Sequence, residues 1–445
     1  MIKLILLFAA IVFIIFSTTR LRLHPFLALL FASIAFGILS GMSFDVIIES
    51  INSGFGGTLG HIGIVIIAGT IIGTFLEKSG GAFALAERIL KMIGAKRLIP
   101  AMGIIGYIVS IPVFADSGFV ILSPLNKALT KRAGLSLAGT AIVLSLCLTI
   151  SHTLVPPTPG PIAAAGLLEA DLGLVILFAL PVSITIMLLA WLFAAKFASR
   201  VHIDANPEMQ QAEIDDALQG APGALHAVLP IFVPIILIVL KSISDFPTSP
   251  FGTGTLDKLI GFFGAPVVAL LIGVILSFTL PKKLSTDLLS NAGWVGTGLS
   301  NAAIIIMITG AGGVFGKVLQ NSGIADVLGT SLSGIELGLW LPFILAAAIK
   351  TAQGSSTVAI ITTASILAPL MAGLGFESPV MRALAVLSIG SGAMVVSHAN
   401  DSFFWVVTQM SGMDVKTGYK LHSFGTLLLG FSAALLIWLT SLFIV

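Results

Sequence analysis

The chain has 445 residues, 57% of them apolar and 9% charged, with a mean hydropathy of +1.10 and a formal net charge of +2. Soluble domains carry about 25% charged residues, so a water-soluble globule is excluded, and the small net charge argues against nucleic-acid binding. Apolar runs near 20 residues recur at 1–17, 224–240, 261–280 and 421–445, each long enough to cross a hydrocarbon core of about 30 Å as a helix; the short alternating strands of a membrane barrel are missing.

The first run, "MIKLILLFAAIVFIIFSTTR", is longer than a typical signal-peptide core and no small-residue cleavage site follows it, so it is read as the first helix of an all-α polytopic membrane protein. Basic residues favour the cytoplasmic side. They cluster at 20–24, 87–97, 127–132, 196–226, 282–287 and 416–420, which are read as inside. Segments holding Asp45 and Glu49, Glu169 and Asp171, Asp326 and Glu336, and Glu377 carry acids without Lys or Arg and are read as outside.

Further along, "GFGGTLG" at 54–60 and "TGAGG" at 309–313 lack the strand-turn-helix context of a nucleotide fingerprint, so close helix packing is expected of both. The run from 98 to 125 is flanked by Lys96 and Arg97 on one side and by Lys127, Lys131 and Arg132 on the other. With both ends inside, it enters and returns, either as a re-entrant hairpin with its tip at Pro112 to Gly118 or as two full helices joined by a tight outer turn. Such a tip is tolerable only where protein or a wet cavity covers it. Cys147, the single cysteine, lies in an apolar run and is read as a small buried side chain.

"SHTLVPPTPGP" at 151–161 breaks a helix in the middle of such a run, because proline lacks the N–H that a helix interior needs. The polar stretch 201–223 is too short for a domain and is read as a cytoplasmic linker. Beyond it the chain repeats itself. "GTFLEKSGGA" at 73–82 returns as "GKVLQNSGIA" at 316–325. The hairpin returns as "IKTAQGSSTVAIITTASILAPL" at 349–370, and "SHTLVPP" returns as "SHANDSF" at 397–403. Three landmarks recur in one order at nearly one offset. The first unit begins outside and the second inside, so the second copy is inverted. The expected organisation is N-terminal helices at 1–50, a first repeat at 51–195, the linker at 196–224, connecting helices at 225–290 and an inverted second repeat at 291–445.

Inverted repeats with broken helices place a substrate near the membrane midplane, where helix N-termini hold anions and carbonyl ends hold cations. Ionisable groups there are costly unless paired or wet, which singles out Asp116, His152, His398 and Asp401. A carboxylate in this setting can carry a proton, so proton coupling is assigned to Asp116 or Asp401. His152 and His398 contact substrate or relay the proton. The plainer readings are a structural hydrogen bond for each histidine and, for Asp401 or Asn400, a helix N-cap. Lys350 is read as snorkelling to an interface. Gln353, Gly354, Ser355, Ser356 and Thr357 offer an amide, hydroxyls and exposed N–H groups to a hydroxylated carboxylate; small-residue packing between membrane helices is the alternative. The seven histidines are scattered, with no H-E-x-x-H and no cysteine cluster, so no metal or cofactor is expected. The absence of a P-loop or G-x-S-x-G sequence argues against an enzyme.

"RLHPFLALLFAS", "FADSGFVIL", "SHTLVPPTPGP", "AQGSSTVA" and "SHANDSFFW" resemble the motifs of the gluconate permease (GntP) family of bacterial proton symporters, over essentially the whole chain. The resemblance implies an ion-transporter-superfamily type of fold in the bacterial inner membrane. It also implies a small hydroxylated carboxylate such as gluconate as substrate, contacted by His152, Thr158, Gln353 to Thr357, His398 and Asn400, with H⁺ as coupling ion. Related folds often form homodimers. Two departures bear on the substrate: Thr158 stands where gluconate-type members often carry a second histidine, and Asp116 replaces a commoner glutamate. Na⁺ coupling, D-serine or another hydroxy acid as cargo, a passive channel and a membrane enzyme remain the competing readings.

Overall fold

The computed structural model describes residues 2–94, 97–205, 220–245, 250–252, 254–324, 337–399 and 401–444. Linker residues 206–219, Asn400, Asp326 and Glu336 therefore lie outside the described residues. Within them the chain is helical. Two helices, α1 (Ile2–Thr19) and α2 (Pro25–Leu39), lead into the long α3 (Phe44–Lys78) and then α4 (Gly81–Ile93). The first hairpin is α5 (Leu98–Val109) and α6 (Ala115–Ala133). The first broken span is α7 (Leu137–Leu154) and α8 (Pro159–Leu167), followed by α9 (Leu172–Lys196). Connecting helices α10 (Ala224–Ser244), α11 (Thr255–Phe263) and α12 (Pro266–Ser277) come next. The second unit holds α13 (Trp294–Asn321), the hairpin α14 (Trp340–Gln353) and α15 (Ser356–Leu367), the broken span α16 (Pro379–Met394) and α17 (Ser402–Met410), and the last helix α18 (Phe424–Ile444).

Among the described residues five helical stretches are long and apolar enough to span a bilayer, or seven when the bent pairs at 44–78 and 255–277 each count as one. Each hairpin has at least one shorter arm. The 12 residues of α5 and of α15 reach about 18 Å each at 1.5 Å per residue, short of the roughly 30 Å that a straight crossing requires.

The repeat is visible element by element. Both α3 and α13 end in a serine cap followed by a glycine with positive φ, Ser79–Gly80 and Ser322–Gly323. In the first unit α5 packs on α7; in the second α14 packs on α16. Each broken span continues as a nine-residue helix, α8 and α17. These short helices cross over: α8 packs against α15 of the second unit, and α17 against α6 of the first. The scaffold beneath is the pairing of α3 with α13. It is as close as the glycine-rich strings suggest, since a Cβ on Gly54 would sit 2.7 Å from the Gly313 carbonyl oxygen. Small residues are what let membrane helices approach to this distance. At the centre lie α7 and α16; every residue of α7 except His152 is buried, Cys147 included.

Candidate functional site

The breaks and hairpin tips converge on a cavity of about 370 Å³, within the size range of small-molecule sites. The first unit contributes Phe114 and Asp116 from the start of α6, and Thr149 and His152 from α7. The second contributes Lys350 and Gln353 from α14, Gly354 to Thr357 from the tip, Met394 and Ser397 near the end of α16, and Asp401 to Phe403 at the start of α17.

Local chemistry explains each placement. Gly354 takes φ +94°, a conformation other residues rarely adopt, and so ends α14 and reverses the chain. Ser355 then caps α15, accepting the Val358 N–H at 3.3 Å. The N–H groups of a first helical turn have no intrahelical acceptor, and this turn begins with Ser356 and Thr357, which line the cavity. The amide of Gln353 is directed back on the tip, donating to the Ser355 carbonyl at 2.6 Å. At the second break Asp401 caps α17 by accepting the Phe403 N–H at 3.0 Å. Its other oxygen holds a buried ion pair with Lys350 at 2.6 Å and accepts the Ser397 hydroxyl at 2.5 Å. Lys350 also donates to the Gly354 carbonyl.

Lys350 corrects the sequence expectation. It is 1% exposed and does not snorkel. Its side chain runs inward because Asp401 and the carbonyl of the hairpin tip together supply the partners that a buried ammonium requires. The cavity also carries links between the units. Ser402 donates to Asp116 at 3.2 Å, the Nε2 of His152 lies 3.3 Å from the Thr357 hydroxyl, and the rings of Phe119 and Phe403 meet edge-on at 6.0 Å.

Of the residues singled out from sequence, Asp116, His152, Gln353 to Thr357 and Asp401 line this one cavity. Thr158 and His398 do not. The Thr158 hydroxyl turns back to the Val155 carbonyl at 2.7 Å, closing the proline turn before α8. The His398 ring meets the Thr351 carbonyl at 2.9 Å, a structural bond to the end of α14. Asn400 lies outside the described residues.

Sequence reasoning missed Ser397 and His422. His422 is fully buried in a π-helical turn, 419–423, that precedes α18. Its Nε2 lies 3.1 Å from the Ser397 hydroxyl and its Nδ1 3.2 Å from that of Ser145. Its place behind two lysines made it look like part of an inside loop. The signal was the pair His422–Ser423 at the head of a long apolar run. Ser423 and Thr426 satisfy the backbone of the break, Ser423 donating to the Ser397 carbonyl and Thr426 accepting the Ser397 N–H at 3.1 Å. No group of three or more His, Cys, Asp or Glu side chains able to hold a metal ion occurs among the described residues.

The sequence matches the GntP family permeases over residues 2–443. The chain belongs to the GntP permease family. Within that family it is 34% identical to the inner membrane permease YgbN of Escherichia coli over 97% of this chain and 96% of that protein. It is 33% identical to a gluconate permease of Pseudomonas aeruginosa, over 92% of this chain and 91% of that one. A solved structure of the same fold is the YdaH transporter of Alcanivorax borkumensis, with a TM-score of 0.68 at 16% identity over 95% of this chain and 99% of that one. This GntP permease is thus a multi-pass membrane transport protein and not an enzyme.

Proposed function

We propose that this permease imports gluconate or a related small hydroxylated carboxylate by proton symport. The observation that carries the reading is the cavity at the crossing of the two units. It holds one buried cation, the carboxylates of Asp116 and Asp401, and the hydroxyl-rich tip of 353–357 opening at a helix N-terminus. A carboxylate is favoured at such an N-terminus, where partial positive charge and free N–H groups meet. The sugar hydroxyls find donors and acceptors in Gln353, Ser355, Ser356, Thr357 and His152. Two acids within a membrane give the proton a place to ride. Relatives named gluconate permease support the substrate class.

Uptake into proteoliposomes tests the proposal. A panel of labelled gluconate, other aldonates, small hydroxy acids and D-serine is offered under an imposed pH gradient or an imposed Na⁺ gradient. Uphill accumulation of gluconate driven by the pH gradient alone is the expected result. Accumulation that requires Na⁺ refutes the coupling ion, and accumulation of D-serine with gluconate excluded refutes the substrate.

A further inference from the structure

Two facts about Lys350 stand together. Among the described residues it is the one lysine or arginine that lines the cavity, and its ammonium is already ion-paired with Asp401. Accepting the proposed function, an anion entering here needs that cation, and the cation already has an anion. We propose that the substrate carboxylate takes Lys350 in exchange for Asp401, and that Asp401, so displaced, accepts the co-transported proton.

The geometry supports the exchange in three ways. The Lys350 ammonium sits at the hairpin tip, in contact with the Gly354 carbonyl and beside the open turn of α15, so a carboxylate held by the tip lies within its reach. Asp401 keeps partners when it lets go, because the Ser397 hydroxyl and the Phe403 N–H stay on it. The carboxylate therefore has a hydrogen-bonded resting place away from Lys350. Charge then decides the stoichiometry. The titratable groups facing the pair are Asp116 from α6, His152 from α7 and His422 behind Ser397; α15 presents the hydroxyls of Ser356 and Thr357 and α16 the side chain of Met394, none of them charged. A substrate carboxylate beside ionised Asp401 would place two like charges on one buried cation. Like charges sharing a site drive one of them to protonate. The proton goes to a carboxylate oxygen of Asp401, forming an O–H bond, and is given up when the substrate leaves and Lys350 returns. One proton moves with one monovalent anion.

The test is calorimetric binding of gluconate to the purified protein in buffers of different ionisation enthalpy, which counts protons taken up. Wild type is expected to take up about one proton per gluconate bound. Asp401→Asn leaves Lys350 free. It is expected to bind gluconate at least as tightly, with no proton uptake, and to retain gluconate exchange across vesicles while losing uphill accumulation. Lys350→Gln is expected to weaken binding by about a hundredfold or more, the scale for truncating one side of a buried charge pair. Because that variant strands Asp401, the double variant Lys350→Gln/Asp401→Asn is measured beside it; a neutral pair is tolerated where a half-pair is not. Gluconate binding by the double variant at wild-type strength overturns the exchange, as does proton uptake that persists in Asp401→Asn. Both results leave the proposed function standing. A wild type that binds no member of the panel overturns that function and the exchange with it.

Discussion

Removing a single hydroxyl, in Ser397→Ala, tests whether the wall behind the ion pair is wired as the donor inventory requires. Ser397 has one hydrogen to give, and Asp401, acceptor-only when ionised, takes it at 2.5 Å. The Ser397 oxygen can then only accept from the ring 3.1 Å away, so Nε2 of His422 carries the hydrogen and Nδ1 faces Ser145 as acceptor. Ser145 has a second acceptor in the Ile142 carbonyl at 3.0 Å. In Ser397→Ala, Asp401 loses a hydrogen bond to a charged group, at about 1.5–3 kcal/mol, and the His422 N–H is stranded in a dry site, at about 1–3 kcal/mol. The expected loss is on the order of 3–5 kcal/mol. His422→Phe behaves differently. Ser397 still donates to Asp401 and Ser145 to Ile142, so nothing is stranded, and the new ring joins Phe403 and Phe404, whose centroids lie 5.5 Å and 6.4 Å from the His422 ring. Its cost is expected below about 2 kcal/mol. In the double variant the stranded N–H is gone, so the two losses should fall short of additive by about 1–3 kcal/mol. Reversible unfolding in mixed micelles measures all three. A Ser397→Ala that costs no more than His422→Phe, or a strictly additive pair, refutes the wiring.

Asp116→Asn retains an oxygen to accept the Ser402 hydroxyl, so the fold is expected to hold. Gluconate should bind more tightly by up to about tenfold, since a like charge leaves the cavity, while calorimetry still counts about one proton per anion; loss of that proton would make Asp116 the carrier. His152→Ala removes a ring that lines the cavity and bonds Thr357. It should weaken gluconate binding by roughly tenfold, the worth of one hydrogen bond, and Gln353→Ala similarly; unchanged dissociation constants would return either residue to a purely structural role. Gly73→Ala should lower thermal stability sharply, because its Cβ would lie 2.0 Å from the Pro112 carbonyl oxygen. Its repeat counterpart Gly316→Ala should be nearly silent, with nothing nearer than 3.4 Å; equal melting temperatures for the two would contradict the packing.

The elements that announce themselves in the sequence are those whose physics is local. Prolines 156, 157, 159 and 161 state where a helix must stop, and Asp116 and His152 are conspicuous because charge is rare in an apolar chain. The repeat was legible because its landmarks are breaks, and a break is written in a few adjacent residues. Lys350 was misjudged because burial of an ammonium depends on Asp401, 51 positions away, and no local pattern encodes that pairing. His422 was overlooked for the same reason, its partners Ser145 and Ser397 lying in two other segments. Conversely, His398 looked as promising as His152. The two occupy matched Ser-His pairs, yet one ring faces the cavity and the other a backbone carbonyl. The second break lacks the prolines of the first; there Asp401 caps its own helix, and the His398 ring is spent on the end of α14.

The crossing of the units gives the ion pair a mechanical consequence. Through its first residues α17 is tied to both hairpins: Asp401 bonds Lys350 on α14, and Ser402 bonds Asp116 on α6. The scaffold helices α3 and α13 approach too closely to slide, with Gly54 against Gly313. The short helix α17 is nine residues long and capped by the very carboxylate that would release the lysine. Under the proposed exchange, substrate binding therefore loosens the second hairpin from α17 while leaving α17 attached to the first. The bond that is broken and the bond that is kept belong to opposite units. That asymmetry suits alternating access at a site built between two units, and under the proposed exchange it places the coupling step in one residue's choice of partner.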